Sequence, residues 1–376
     1  MKVEQKIWTQ QHKWSSIHGG TTPINPNLVL YFGKREVLLS HKIYEDLKKN
    51  YPNAHILGCS TGGEISGSET YDDSACSMAM EFEHTQLKTS KFQIDGDSYE
   101  VGIKIAQELN QPGLKAIFTL SDGLEVNGSE FVRGIKSIVG KEISISGGLA
   151  GDGDKFKETI VGCNESPQRK TIAAVGFYGD RCRIGTGSGG GWKPFGPERL
   201  ITKSKGNILY ELDNKPALSL YKQYLGDKAS QLPASALLFP LAIRPENYNG
   251  LTVRTILSVN EDDQSMTFAG DVPQGYVAYL MNSNAQKLVQ GAEDAAQLAI
   301  IEGYENSQVS ILISCIGRKL LLGQRIGDET EAVQNSMGTA IPQIGFYSYG
   351  EISPHAETGW CELHNQTMTI TNIAEV

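Results

Sequence analysis

One frame of nine residues occurs twice in this chain, as Gly58-Cys59-Ser60-Thr61-Gly62-Gly63-Glu64-Ile65-Ser66 and as Gly345-Phe346-Tyr347-Ser348-Tyr349-Gly350-Glu351-Ile352-Ser353. Both fit G-x-x-[ST]-x-G-E-I-S, and both follow a short β-like approach, His55 to Leu57 and Pro342 to Ile344. The segments upstream match as well. Leu28 to Arg35 and Ser310 to Lys319 are apolar strands ending in glycine and basic residues, and a helical stretch then leads into the shared frame. A looser third copy runs from Ala116 to Gly123, through a helix, to Ile143-Ser144-Ile145-Ser146-Gly147-Gly148. Strand, glycine, helix, strand and glycine recurring in one order point to an internally duplicated strand-helix-strand unit.

The 376 residues are enough for two domains and a large core, and an apolar fraction of 39% is ordinary for a globular chain. A net charge of −9 without a basic run argues against nucleic acid or an anionic membrane surface as partner, since both need clustered Lys and Arg. The polar start, Met1 to Ile7, lacks the apolar stretch of a secretory signal. The longest apolar run, Ala236 to Ile243, is too short to span a bilayer and contains Pro240. The expected location is therefore the cytoplasm. Six cysteines (Cys59, Cys76, Cys163, Cys182, Cys315, Cys361) form no C-x-x-C pair, no zinc spacing and no C-x-x-C-H haem attachment motif, so reduced thiols are expected.

Along the chain, residues 1–24 read as a polar arm and 25–225 as a first domain in which strands alternate with helices, the signature of an α/β fold with mixed sheets and flanking helices. One helix is expected from about Glu36 to Lys49. Another is capped by Asp97, with Glu100 three residues on. From Thr171 the texture turns strand-rich and glycine-rich. A second domain, 226–376, follows the polar stretch after Leu225. Its clearest helix starts at the Ser283-x-x-Gln286 pair and runs to about Tyr304. Gly185-x-Gly187-x-x-Gly190 matches a dinucleotide fingerprint in letters, but no helix follows to present its dipole, and it is rejected.

Several ordered phrases resemble the FIST family, a sensory module of signal-transduction proteins with an N-terminal and a C-terminal part. In the N-terminal part these are Gly58 to Ile65, Ser146 to Asp152 and Gly191 to Pro197. In the C-terminal part they are Val253-Arg254-Thr255-Ile256, Phe268 to Pro273, Ser314 to Arg318, Gly345 to Ile352 and His364-Asn365-Gln366-Thr367. With no kinase, cyclase or receiver attached, the chain is similar to the stand-alone bacterial proteins of this family that bind haem and sense nitric oxide. That resemblance implies haem b as cofactor, and a histidine kinase or a cyclic-di-GMP enzyme (diguanylate cyclase or phosphodiesterase) as partner. The broader family implies instead a small ligand such as an amino acid.

His364 precedes an alternating strand and is the first candidate for haem iron, because imidazole ligates the metal while leaving its other face to a gas. The alternative is a histidine bonded to a neighbouring strand, and His355 is the reserve. Cys315 and Arg318 follow a strand end where α/β sheets open crevices, and Arg318 suits a carboxylate or haem propionate. Equally, Cys315 reads as a buried small residue and Arg318 as a partner of Glu351 or Asp271. Tyr347 and Tyr349, two residues apart, would floor a pocket or fill core. Glu351 and, through the resemblance, Arg254 complete the expected ligand-binding set. Glu64 and Glu351 suit hydrogen-bonding roles better than acid catalysis.

The reading is a non-enzymatic sensor that binds haem and nitric oxide and regulates a signalling enzyme. An amino-acid or small-metabolite binder is the alternative, and a hydrolase or transferase using Ser60 or Ser348 is the second. Neither serine has a histidine and acid partner in local sequence.

Overall fold

In a computed structural model, which describes residues 1–19, 23–232, 234–246, 250–303, 308–338, 340–355 and 358–376, the duplicated unit occurs three times. Strands Leu28–Gly33 and His55–Ser60 run parallel, and Ala75–Glu81 returns antiparallel to the first. Leu114–Ser121, Ser144–Leu149 and Thr171–Tyr178 repeat that order, and so do Val309–Cys315, Gln343–Ser348 and Met368–Glu375. The first strands are apolar runs buried on both faces because helices and neighbouring sheets cover them. The loose third copy in the sequence is thus a full structural repeat.

The three units register through one hydrogen bond each. The amides of Lys34, Asp122 and Cys315, just past the first strands or at their end, donate to the carbonyls of Ser74, Thr171 and Thr367 at 3.1, 2.9 and 3.1 Å. Two residues earlier, Phe32, Leu120 and Ile313 occupy matching positions and lie in a single apolar cluster, so the three sheets share one core. Truncating any of them to alanine should cost about 2–5 kcal/mol.

Between its second strand and its return strand, each repeat sends a short strand into the next repeat's sheet. Glu64–Ser66 pairs with Gln343–Ser348, Gly350–Pro354 with Ser144–Leu149, and Val161–Cys163 with His55–Ser60. The exchange is cyclic, from first to third to second to first. Three equivalent backbone hydrogen bonds close it: Gly62 N to Tyr347 O at 2.7 Å, Tyr349 N to Leu149 O at 3.1 Å and Gly151 N to Ser60 O at 3.0 Å. An approximate threefold symmetry therefore relates the glycine-rich turns.

A further strand precedes each unit on the outer side of its sheet: Lys2–Thr9, Gln86–Gln93 and Cys182–Gly189. The first of these forms a hairpin with Lys13–His18, so the expected polar arm is an ordered sheet edge anchored by buried Ile7 and Trp8. Into the third repeat, after Cys182–Gly189, is inserted a unit with its own core, built on strands between Lys193 and Asn282 and on helix Ala217–Leu225. The 225/226 boundary read from the sequence falls inside this insertion, at the end of that helix.

Helix Ala285–Leu298 leads back and packs on Cys182–Gly189. A β-carbon on Gly185, Gly187, Gly189 or Gly191 would lie 1.9–2.2 Å from the carbonyl oxygens of Ala299, Ala295, Gly291 and Lys287 respectively. Two residues of strand advance about as far as four of helix, which matches the spacing of the glycines. The glycine run is a packing seam. The cap of this helix is Asn284, whose side chain accepts from Lys287 N at 3.0 Å, one residue later than the Ser283 pair suggested; Tyr304 lies outside the described residues. Asp97 caps Ser98–Leu109 as expected. The expected helix over Glu36 to Lys49 is two, Arg35–Ser40 and Ile43–Asn50, separated at Lys42 with φ 49°.

Candidate functional site

The shared glutamates tie each glycine-rich turn to its return strand. Glu64 accepts from Thr61 Oγ1 and Ser74 Oγ, both at 2.5 Å. Glu351 accepts from Ser348 Oγ at 2.6 Å and from Thr367 Oγ1 and N at 3.0 and 3.2 Å. Both are fully buried, and loss of water pushes Glu64 up to about 7 and Glu351 up to about 8 despite the hydroxyl donors.

Arg318 is fully enclosed. Its guanidinium meets Glu329 Oε2 at 2.8 and 3.0 Å, Gly190 O at 2.6 Å and Leu288 O at 2.7 Å. Tyr347 Oη and Ser314 Oγ donate to Glu329 Oε1 at 3.0 and 3.1 Å. The acid paired with Arg318 is thus neither Glu351 nor Asp271. Cys315 is buried beside this network, and burial pushes its thiol up. Tyr349 turns elsewhere: its hydroxyl donates to Asp152, lies 2.9 Å from Gly153 O, and its ring stacks on Phe156 at 4.4 Å. Cys315, Arg318, Tyr347, Tyr349 and Glu351 line none of the cavities described next.

His364 does line a cleft, of 260 Å³, with Trp192, Met281, His355 and the glycine seam. Its Nε2 lies 2.9 Å from Ser353 O, and its ring stacks on His355 at 5.9 Å. Burial pulls it down to about 4, so it is neutral near pH 7. A neutral imidazole with one nitrogen on a carbonyl is chemically suited to a metal. The room is not: the cleft is smaller than the roughly 300–1,000 Å³ of pockets enclosing drug-sized ligands, and one wall is the locked seam of strand and helix. These residues do not fit haem in this conformation. No group of three or more His, Cys, Asp or Glu among the described residues is placed to hold a metal ion.

Arg254 lines a larger cavity of 410 Å³. Helix Gly128–Val139 of the second repeat contributes Ser129, Arg133 and Lys136, the inserted unit contributes Arg254, Asp271 and Tyr276, and strand Cys361–His364 closes another side. Arg254 is 7% exposed, and its bonds go to carbonyls: Nε to Asp271 O at 3.0 Å, and Nη1 to Leu363 O at 3.1 Å and Val253 O at 3.3 Å. Among the described residues no carboxylate lies within 4.0 Å of it. Burial draws its pKa down, and the carboxylates of Glu362 and Asp271, beyond ion-pair distance, act in the opposite sense. The sequence had put Arg254 in the set through the resemblance alone, and Arg133 and Lys136 carried no motif.

A third cleft, of 260 Å³, lies at the turn of the first repeat between Gly62, Asp152 and Lys319; Lys319 Nζ bonds Gly62 O at 2.8 Å and Asp72 at 2.5 Å.

Against known families, the FIST N domain matches residues 27–215 and the FIST C domain residues 217–354. The chain belongs to the FIST family. FIST domains are sensory domains of signal transduction that bind small ligands, and they are not known as enzymes. An uncharacterised protein of Methanocaldococcus jannaschii is 24% identical over 352 residues, 82% of this chain; the chain matches 66% of that protein's length. Among solved structures, thiamine-monophosphate kinase from Stenotrophomonas maltophilia is 12% identical, with 80% of this chain and 86% of that one covered, but its TM-score of 0.18 carries no argument. No helix among the described residues of this FIST protein is long and apolar enough to cross a membrane.

Proposed function

We propose that this FIST protein senses a small carboxylated metabolite, an amino acid or a related acid, bound in the cavity at Arg254, and passes its occupied state to a signalling enzyme. The observation that carries the reading is the buried Arg254 guanidinium, which faces that cavity without a carboxylate within 4.0 Å among the described residues. A buried charge is costly when no opposite charge touches it, and a ligand carboxylate would supply the contact that Asp271 and Glu362 do not make. Asp271 and Glu362 on the same walls suit an ammonium group.

The cavity sits where three bodies meet: the second repeat's helix, the inserted sheet and the exchanged strands of the third repeat. Arg254 already bridges two of them through Leu363 O. A ligand that binds one arrangement of these bodies more tightly than another shifts the population, and the outer surface changes with it. The partner implied by the resemblance is a histidine kinase or a cyclic-di-GMP enzyme in the cytoplasm.

Haem b on His364 with nitric oxide as signal is the competing reading. It is favoured by the neutral, carbonyl-bonded imidazole and opposed by the size of its cleft. A thermal-shift screen of the amino acids and short carboxylic acids, beside an absorbance spectrum of protein from haem-supplied cells, separates the two. Stabilisation lost in Arg254→Gln supports the metabolite. A Soret band lost in His364→Ala, with no stabilising acid, would replace it with haem.

A further inference from the structure

We propose that the Arg254 cavity takes an elongated dianion, with one carboxylate on Arg254 and a second anionic group at Lys136 and Arg133. This rests on the reading of the cavity as the ligand site.

Ser129, Val132, Arg133 and Lys136 all line the cavity, a spacing that places them along one face of helix Gly128–Val139. Seven residues of helix advance about 10 Å. Ser129 marks the Arg254 end, because a β-carbon on Gly270 would lie 2.7 Å from Ser129 Oγ and 3.0 Å from Arg254 Nε. Lys136 marks the opposite end, where its ammonium sits over the Trp360 ring at 4.5 Å. Among the described residues Lys136, like Arg254, has no carboxylate within 4.0 Å, whereas Arg133 pairs with Glu130 one turn back.

The cavity therefore carries two separated cations, each without an ion pair, at the two ends of one helix face. Of the acids that line it, Asp271 accepts from Asn127 Nδ2 at 2.9 Å, and Glu362 stands more than 4.0 Å from Arg254. A single carboxylate would satisfy Arg254 alone. A chain with an anionic group at each end would satisfy both cations and lay its methylenes along Val132 and Leu363.

The test is calorimetric titration of the full chain with adipate and suberate, and with hexanoate and octanoate as single-ended controls. A diacid should bind about tenfold more tightly than the monoacid of equal length. Lys136→Gln, at a part-buried position in the last turn of the helix, should bring the diacid to the level of its monoacid and leave the monoacid unchanged. Arg254→Gln should abolish both. Equal binding of diacid and monoacid, unaffected by Lys136→Gln but lost in Arg254→Gln, would overturn the dianion and leave the carboxylate reading standing. If no acid binds in an Arg254-dependent way, both fall.

Discussion

The amide of Gly62 donates to the carbonyl of Tyr347 at 2.7 Å, joining the first glycine-rich turn to the last. The same bond recurs from Tyr349 to Leu149 and from Gly151 to Ser60, so the turns close a ring that no single repeat contains. A β-carbon at Gly151 would stand 3.1 Å from Gly62 N and 3.3 Å from Tyr347 O, inside the ring. Gly151→Val should lower the unfolding free energy by about 1–3 kcal/mol, read as a shift of the urea midpoint at constant slope. An unshifted midpoint would mean the ring can open without cost.

Stability should fall as the solution turns alkaline. Glu64 and Glu351 hold their protons to about 7 and 8 in the folded chain, whereas both ionise near 4.5 when unfolded. Between those values the native state binds more protons, so the stability these acids allow is fully present below about pH 4.5, is lost as pH rises, and levels off above about pH 8. Each group contributes a slope of up to roughly 1.4 kcal/mol per pH unit. His364, held down to about 4, acts in the opposite sense below about 6.5, so the acid slope is clearest above that pH. Glu351→Gln should flatten the decline between pH 6.5 and 8 and melt above wild type at pH 8. Parallel profiles for the two proteins would show that Glu351 is ionised throughout.

Arg318 should behave as a structural residue. It joins Glu329 to the carbonyls of Gly190 and Leu288, and lysine has no planar fork to reach all three. Arg318→Lys should destabilise by about 3 kcal/mol, near the cost of breaking a buried pair, and should leave acid binding at Arg254 intact in the protein that remains folded. Normal melting with weakened binding would return Arg318 to the ligand site.

The sequence shows the repeats where spelling was retained and hides them where only geometry was. The frames at Gly58 and Gly345 are legible because each needs a serine or threonine three residues before a glutamate to clamp the return strand. In the second repeat Gly153 holds the glutamate's place, and Asp122 accepts from Thr159 Oγ1 and Lys170 N instead, so the letters differ while the strands agree. The exchanged strands Glu64–Ser66 and Val161–Cys163 are three residues long and take their places in another repeat's sheet, which no local periodicity reports. Glu329 sits eleven residues beyond Arg318 on the next helix, out of reach of any spacing rule. Arg133 and Lys136 read as surface bases until the fold lays their helix along a cavity.

The claim that the sensory site is the cavity at Arg254 is tested most directly by hydrogen–deuterium exchange, with and without the acid that most raises the melting temperature. New protection is expected at residues 252–254, 361–364 and 129–136, absent in Arg254→Gln. Protection confined to 61–64 and 152–155 would place the ligand in the cleft at Gly62 and contradict it.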